Sequence, residues 1–267
     1  MQAVTIDGQV LRVAVRPARG RRPANVPLLL VNGIGASLEL LEPFVDQVDR
    51  AIEVIRFDVP GVGGSPLPAA PYRFGGLCRM IVKMLAALGH DQADVLGISW
   101  GGGVAQHFAF AQRPHCRRLV LVATGPGALM VPGKPSVLAK LVTRKRYTDP
   151  GYMERIAATL YGGSARDDAA GIAEALRGHN RVGSARGYAY QVAAGIGWTS
   201  LPFLPILRQP TLILAGDDDP IIPAVNGRMM HRLIPGAQLH VYHGGHLGLV
   251  TQATELGPLV SRFVAAS

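Results

Sequence analysis

The segment that most constrains this chain is Val95-Leu96-Gly97-Ile98-Ser99-Trp100-Gly101. An apolar run of strand length enters a Gly-x-Ser-x-Gly turn, and a helix-forming stretch, Val104–Gln112, leaves it. Small residues on either side of the serine let strand and helix approach closely. The sharp turn forces Ser99 into a strained backbone and lifts its hydroxyl above the carboxyl end of a sheet, where such sheets bind ligands. A chain organised around this turn needs a strand with neighbours and a helix packed on them, which predicts a layered α/β architecture.

The rest of the sequence follows that rhythm. Val4–Ile6 and Val10–Val15 flank Asp7-Gly8, a hairpin signal. Pro27–Val31, Ile52–Phe57, Ala93–Ile98 and Leu119–Ala123 read as strands, with helices over Leu38–Val48, Phe74–Leu88 and Val104–Gln112. After Thr124 the alternation stops. It returns with strands at Thr211–Ala215 and Gln238–Tyr242 and helices at Ala224–Leu233 and Ala253–Val264. The pattern predicts a mostly parallel sheet with helices on both faces and an antiparallel opening hairpin. Residues 1–124 and 206–267 form the expected core, and residues 125–205 an inserted helical lid.

Within the insertion, Pro135–Tyr147 reads as a short basic amphipathic helix. Asp149-Pro150 supplies an N-cap and a first helical residue. Met153, Ile156, Ala157 and Leu160 then share a face that suits either an acyl pocket or a lid core. Trp198, Leu201, Phe203 and Leu204 are further candidates for the pocket wall.

A serine hydroxyl is a poor nucleophile at neutral pH and needs a base and an orienting acid. Two loops after later strands offer them. Gly216-Asp217-Asp218-Asp219-Pro220 follows one strand and Gly244-Gly245-His246 follows another. His246 is the expected base. Asp219, just before Pro220 and a new helix, is the expected acid, with Asp218 as the alternative; Asp217 and Asp218 otherwise read as turn and capping residues. Acyl transfer also needs two N–H donors for the developing oxyanion. The amide after the nucleophile, Trp100, is one candidate, and Ile34 in Asn32-Gly33-Ile34-Gly35 is the other. Gly33-x-Gly35 lacks the third glycine of a dinucleotide fingerprint, because Leu38 stands there. Asp58 to Ser65 forms another glycine-rich loop, expected to shape the site without doing chemistry.

His240, His243 and His246 recur at every third position, but residues three apart on a strand point to opposite faces, which argues against a shared metal. No metal or organic cofactor is expected. The two cysteines, Cys78 and Cys116, imply no disulfide framework and read as inert. Met1–Arg12 lacks the basic start and apolar block of a signal peptide, and no apolar stretch is long enough to span a bilayer, so a cytoplasmic protein is expected. The formal net charge of +9 raises the question of an anionic partner. The bases cluster at Arg19/Arg21/Arg22 and Lys140/Arg144/Lys145/Arg146 without any nucleic-acid motif, so no nucleic-acid partner is expected.

These residues resemble the α/β hydrolases and, more narrowly, the intracellular medium-chain poly(3-hydroxyalkanoate) depolymerases. The resemblance covers nearly the whole chain. It rests on Asn32-Gly33-Ile34-Gly35-Ala36, Phe57 to Ser65, Pro71-Tyr72-Arg73-Phe74 and Gly97 to Gly102. It continues in Met130 to Pro135, Tyr161-Gly162-Gly163, Gly197-Trp198-Thr199-Ser200 and Leu214 to Pro220. It implies the α/β-hydrolase fold with Ser99, Asp219 and His246 at the triad positions, and hydrolysis of esters in an aliphatic polyester, with a polymer granule surface as a partner. One departure stands: that family is acidic just before the Gly-His, where this chain carries His243 and Gly244. Two other expectations use the same residues. One is a soluble-ester, lactone or carbon–carbon bond hydrolase; the other is a ligand-binding receptor on a retained hydrolase scaffold.

Overall fold

Asp7 and Gly8 take φ of 49° and 81°, the left-handed backbone that a two-residue hairpin turn demands. Around them β1 (Gln2–Ile6) pairs antiparallel with β2 (Gln9–Arg16). The computed structural model describes residues 1–20, 26–142, 149–178 and 183–266. Arg21, Arg22, Arg144, Lys145 and Arg146 of the two basic runs lie outside the described residues, as does the end of the expected amphipathic helix.

The remaining strands are β3 (Leu28–Val31), β4 (Val54–Phe57), β5 (Ala93–Ile98), β6 (Cys116–Val122), β7 (Thr211–Gly216) and β8 (Gln238–Tyr242). They form one sheet in the order β1-β2-β4-β3-β5-β6-β7-β8. β2 meets β4 antiparallel, and every pairing from β4 to β8 is parallel. β5, which leads into Ser99, is central and buried along its whole length.

Because successive residues of a strand face opposite ways, each buried strand feeds two cores. Leu29, Val31, Ile55, Val95 and Leu121 pack with α2 (Phe74–Ala87) and α3 (Trp100–Ala111). Leu28, Leu30, Val54, Leu96 and Val120 pack with Phe44 of α1 (Glu42–Gln47) and Leu256 and Val260 of the C-terminal helix. The stretch expected as a helix over Leu38–Val48 divides into a 3₁₀ turn, Leu38–Leu41, and α1. Pro43 sits in the first turn of α1, where its missing N–H costs nothing, whereas inside a longer helix it would break the ladder.

Between β6 and β7 lie α4 (Pro135–Val142), α5 (Pro150–Tyr161), α6 (Ala169–Gly178) and α7 (Ala185–Gly195). Asp149 caps α5, its Oδ1 accepting the Tyr152 amide at 3.0 Å. This insertion has its own small core of Val137, Met153, Ile156, Ala157, Leu160 and Ile172, which also takes in Ile221 and Leu247 from the loops after β7 and β8. The chain closes through α8 (Val225–Leu233), α9 (Gly248–Thr251) and α10 (Ala253–Ala265). Among the described residues, no helix is long and apolar enough to cross a membrane.

Candidate active site

Ser99 has φ 55° and ψ −120°, a conformation that costs a non-glycine residue free energy and persists only where its surroundings enforce it. The enforcement is visible. Its amide donates to Val122 O at 2.9 Å, and its carbonyl accepts from Thr124 Oγ1 at 2.8 Å. A Cβ at Gly97 would strike the Gly101 carbonyl, and one at Gly101 would strike the Val31 carbonyl. Both glycines are therefore required by close backbone approach. α3 starts directly at Trp100, earlier than the side-chain pattern suggests, because the glycines that open it carry no periodicity to read.

The loops after β7 and β8 bring the other two groups to this hydroxyl. His246 Nε2 lies 3.0 Å from Ser99 Oγ, and His246 Nδ1 lies 2.8 Å from Asp219 Oδ2. Asp219 and His246 are only 5% and 7% exposed. Asp219 Oδ1 accepts the amides of Ile221 and Ile222, each at 2.9 Å, which fixes the carboxylate and leaves Oδ2 for the imidazole. The backbone amide of His246 donates to Tyr161 O at 2.8 Å, and Tyr242 Oη donates to Gly245 O at 3.0 Å.

The neighbouring aspartates do more than shape a turn. Asp217 accepts from the Gly244 amide at 3.0 Å and pairs with His243 at 2.9 Å. These bonds hold the Asp217 carboxyl below its usual range and raise His243 above its own. His243, at the position where the resembling family is acidic, thus carries a carboxylate partner. Asp218 accepts from both Nε and Nη2 of Arg166, at 2.5 and 2.7 Å, and from the Gly163 amide at 2.7 Å. His240 pairs with Glu255 at 3.2 Å. The three regularly spaced histidines therefore take three separate carboxylates.

Ile34 sits between two occupied amides. Gly33 N donates to Asn32 Oδ1 at 2.8 Å, and Gly35 N donates to Gln191 Oε1 at 2.8 Å. Among the described residues, neither the Ile34 nor the Trp100 amide has a hydrogen-bond partner. Gln191, 1% exposed on α7, also accepts the Trp100 indole N–H through its carbonyl at 2.8 Å. One residue of the insertion thus touches both segments that carry these amides. The sequence reading missed it, because a lone glutamine among alanines and tyrosines gives no signal.

A cavity of about 230 Å³ opens beside Ser99 and His246, with Leu40, Leu141, Met153, Leu176 and Ile221 on its walls. Of the insertion residues proposed for a pocket, Met153 lines it, whereas Ile156, Ala157 and Leu160 are buried in the core of the insertion. Trp198, Leu201, Phe203 and Leu204 do not line it, a correction to the sequence reading. Trp198 meets Phe74 at 4.9 Å, and Phe203 stacks on Phe110 at 4.4 Å. They pack instead against the core that includes Phe74 of α2 and Phe108 of α3. Asp58, as expected, has a structural place: buried, it accepts the Leu38 and Gly64 amides at 2.7 Å and pairs with Arg12 at 2.9 Å. Burial raises its carboxyl, and these bonds partly offset the rise. Burial also pushes up the Cys78 and Cys116 thiols, in line with inert cysteines.

Comparison with known proteins bears on the fold and the family. A family model described as the alpha/beta hydrolase fold matches residues 26–253. The chain is 48% identical, over 98% of its length and 92% of the relative's, to the poly(3-hydroxyalkanoate) depolymerase of Ectopseudomonas oleovorans. It is 28% identical, over 86% of its length and 84% of the relative's, to 3-oxoadipate enol-lactonase 2 of Acinetobacter baylyi. A crystal structure of a hydrolase from Pseudomonas aeruginosa superposes with a TM-score of 0.80 at 26% identity, covering 99% of this chain and 98% of that one.

Proposed function

The chain belongs to the α/β-hydrolase-fold family, and from that premise we propose that it is a serine hydrolase cleaving the ester bonds of an aliphatic polyester, a poly(3-hydroxyalkanoate). His246 Nε2 takes the Ser99 proton as Oγ attacks the ester carbonyl. The amides of Ile34 and Trp100 receive the oxyanion. The carbonyl–oxygen bond then breaks, and His246 returns the proton to the leaving alkoxide. Water, activated by the same imidazole, releases the acyl group as a hydroxy acid and restores Ser99. Asp219 holds His246 in the tautomer that points its free nitrogen at the serine and stabilises the imidazolium. Every step draws on protein groups and water. Residues 125–205 act as the lid, and the apolar cavity takes the alkyl side chains.

The observation that carries this reading is the continuous line Asp219–His246–Ser99, at 2.8 and 3.0 Å, ending on the wall of an apolar cavity. The polyester half rests on the likeness to the depolymerase. The enzyme acts in the cytoplasm at the surface of stored polymer granules, and its net charge of +9 favours an anionic granule coat. Granule binding should weaken as salt is raised; binding indifferent to salt removes the electrostatic part.

The test is clearing of a medium-chain polyhydroxyalkanoate latex beside hydrolysis of a soluble p-nitrophenyl ester, with Ser99→Ala as control. Clearing that disappears in the variant supports the whole reading. Ester cleavage without clearing supports the soluble-ester alternative, which the enol-lactonase likeness favours. Equal behaviour of wild type and variant overturns the role of Ser99.

A further inference from the structure

Among the described residues lining the cavity, Arg177 is the one lysine or arginine. It sits in the last turn of α6, one turn beyond Ala173 and next to Leu176, both of which line the same cavity. Its Nε donates to the Ala173 carbonyl at 3.2 Å, which orients the guanidinium. Among the described residues, neither of its terminal nitrogens has a hydrogen-bond or ion-pair partner. The residue is exposed, so this oriented fork, without a partner among the described residues, stands at the mouth of the cavity and not in its depth. A cation at a helix C-terminus suits the helix dipole, but that benefit does not require it to border a substrate cavity.

Resting on the polyester reading, we propose that Arg177 binds the free carboxylate at the end of a substrate chain. The enzyme then works from the carboxyl end of the polymer and on short hydroxy-acid oligomers. The interior of such a polyester is uncharged. Its carboxyl end carries one anion, separated from the last ester oxygen only by the carbinol carbon and one methylene. When that last ester is cut, the acyl carbon bonds to Ser99 Oγ and the carbonyl–oxygen bond breaks. His246 protonates the alkoxide, and a 3-hydroxy acid anion leaves. Otherwise apolar walls disfavour this anion, because a carboxylate withdrawn from water without a partner is strongly penalised. A guanidinium offers it a forked, charge-assisted pair of hydrogen bonds. At the exposed mouth both ions keep part of their hydration, so the product can depart.

The experiment compares a 3-hydroxyoctanoate dimer as the free acid and as its methyl ester, using wild type, Arg177→Gln and Arg177→Lys. Wild type should favour the free acid in kcat/KM by about tenfold, the scale of one charge-assisted contact. Arg177→Gln should bring the ratio close to unity, and Arg177→Lys should restore part of it. Octanoate should competitively inhibit hydrolysis of the uncharged p-nitrophenyl octanoate, with Ki raised about tenfold in Arg177→Gln. A folding defect would depress both dimers together and leave ratio and Ki in place. A wild type without preference, or a ratio that Arg177→Gln does not change, overturns the proposal. If wild type cuts neither dimer but cleaves the p-nitrophenyl ester, the polyester reading fails. The octanoate Ki alone then decides: a shift in Arg177→Gln keeps the carboxylate site, and an unchanged Ki removes it.

Discussion

Ser99 and His246 meet across 3.0 Å, yet they are held by opposite means. The serine stands in the turn that leaves the central strand, locked by backbone: a strained φ, glycines that admit no Cβ, an amide bond to Val122 at the end of β6 and a carbonyl bond from Thr124 just beyond it. The histidine stands on a loop near the sheet edge, locked by groups distant in sequence. These are the Asp219 carboxylate, the Tyr161 carbonyl and, through the adjacent acid loop, the Arg166–Asp218 pair. In the proposed mechanism the nucleophile is therefore tied to the stability of the sheet, whereas the proposed base and oxyanion loop are tied to the insertion. Damage to the first should appear as misfolding, and damage to the second as lost turnover in a folded protein.

The largest effect that would sharpen this contrast is Asp219→Asn. The fold should survive, while kcat falls by about 10⁴-fold, as expected when the imidazole loses its correct tautomer. A loss confined to about tenfold would shift the acid role toward Asp218. Next is Gln191→Leu, which removes the acceptor for the Gly35 amide. Turnover should fall by about tenfold to a hundredfold with KM little changed, short of deleting an oxyanion donor outright. If KM rises and kcat holds, Gln191 shapes the cavity and the coupling to the insertion is broken. Arg166→Gln should reduce kcat by less than about tenfold, since it perturbs only orientation. Its half-exposed ion pair should cost less than about 1 kcal/mol of stability.

The smallest effect lies on the sheet side. Trp198 Nε1 donates to His107 Nδ1 at 3.2 Å, and burial lowers the His107 pKa from 6.5. In the folded state the ring thus resists a proton that the unfolded chain accepts. Its contribution to stability is full above pH 6.5 and is lost as pH falls from there through the lower folded value. Urea melts across that range should show a shallower pH slope for His107→Gln than for wild type. Parallel slopes would mean that the ring titrates normally.

How much of this is legible in sequence follows the same divide. The elbow is local, so Gly97, Ser99 and Gly101 announce it, and apolar runs with turn punctuation give the strands in order. His246 can be named because its loop follows a readable strand. The acid is harder. Asp217, Asp218 and Asp219 look alike along the chain, and they differ only through His243, Arg166 and His246, which the fold delivers. Gln191 reaches Gly35 from 156 positions away, a distance over which no periodicity carries information. Trp198 and Phe203 misled for a related reason. Their apolar character is plain, but their choice of α2 and α3 over the cavity is settled by ring packing in three dimensions.

The bond from the His246 amide to the Tyr161 carbonyl has a consequence for anyone who recombines these parts. At the adjacent corner, a Cβ on Gly162 would strike the Asp218 carbonyl, and one on Gly163 would strike the Gly245 amide. The insertion therefore cannot be exchanged as a free-standing cassette. A graft that brings new walls to the cavity must keep Tyr161-Gly162-Gly163 with the scaffold, or the recipient will inherit a new specificity and a wandering imidazole together.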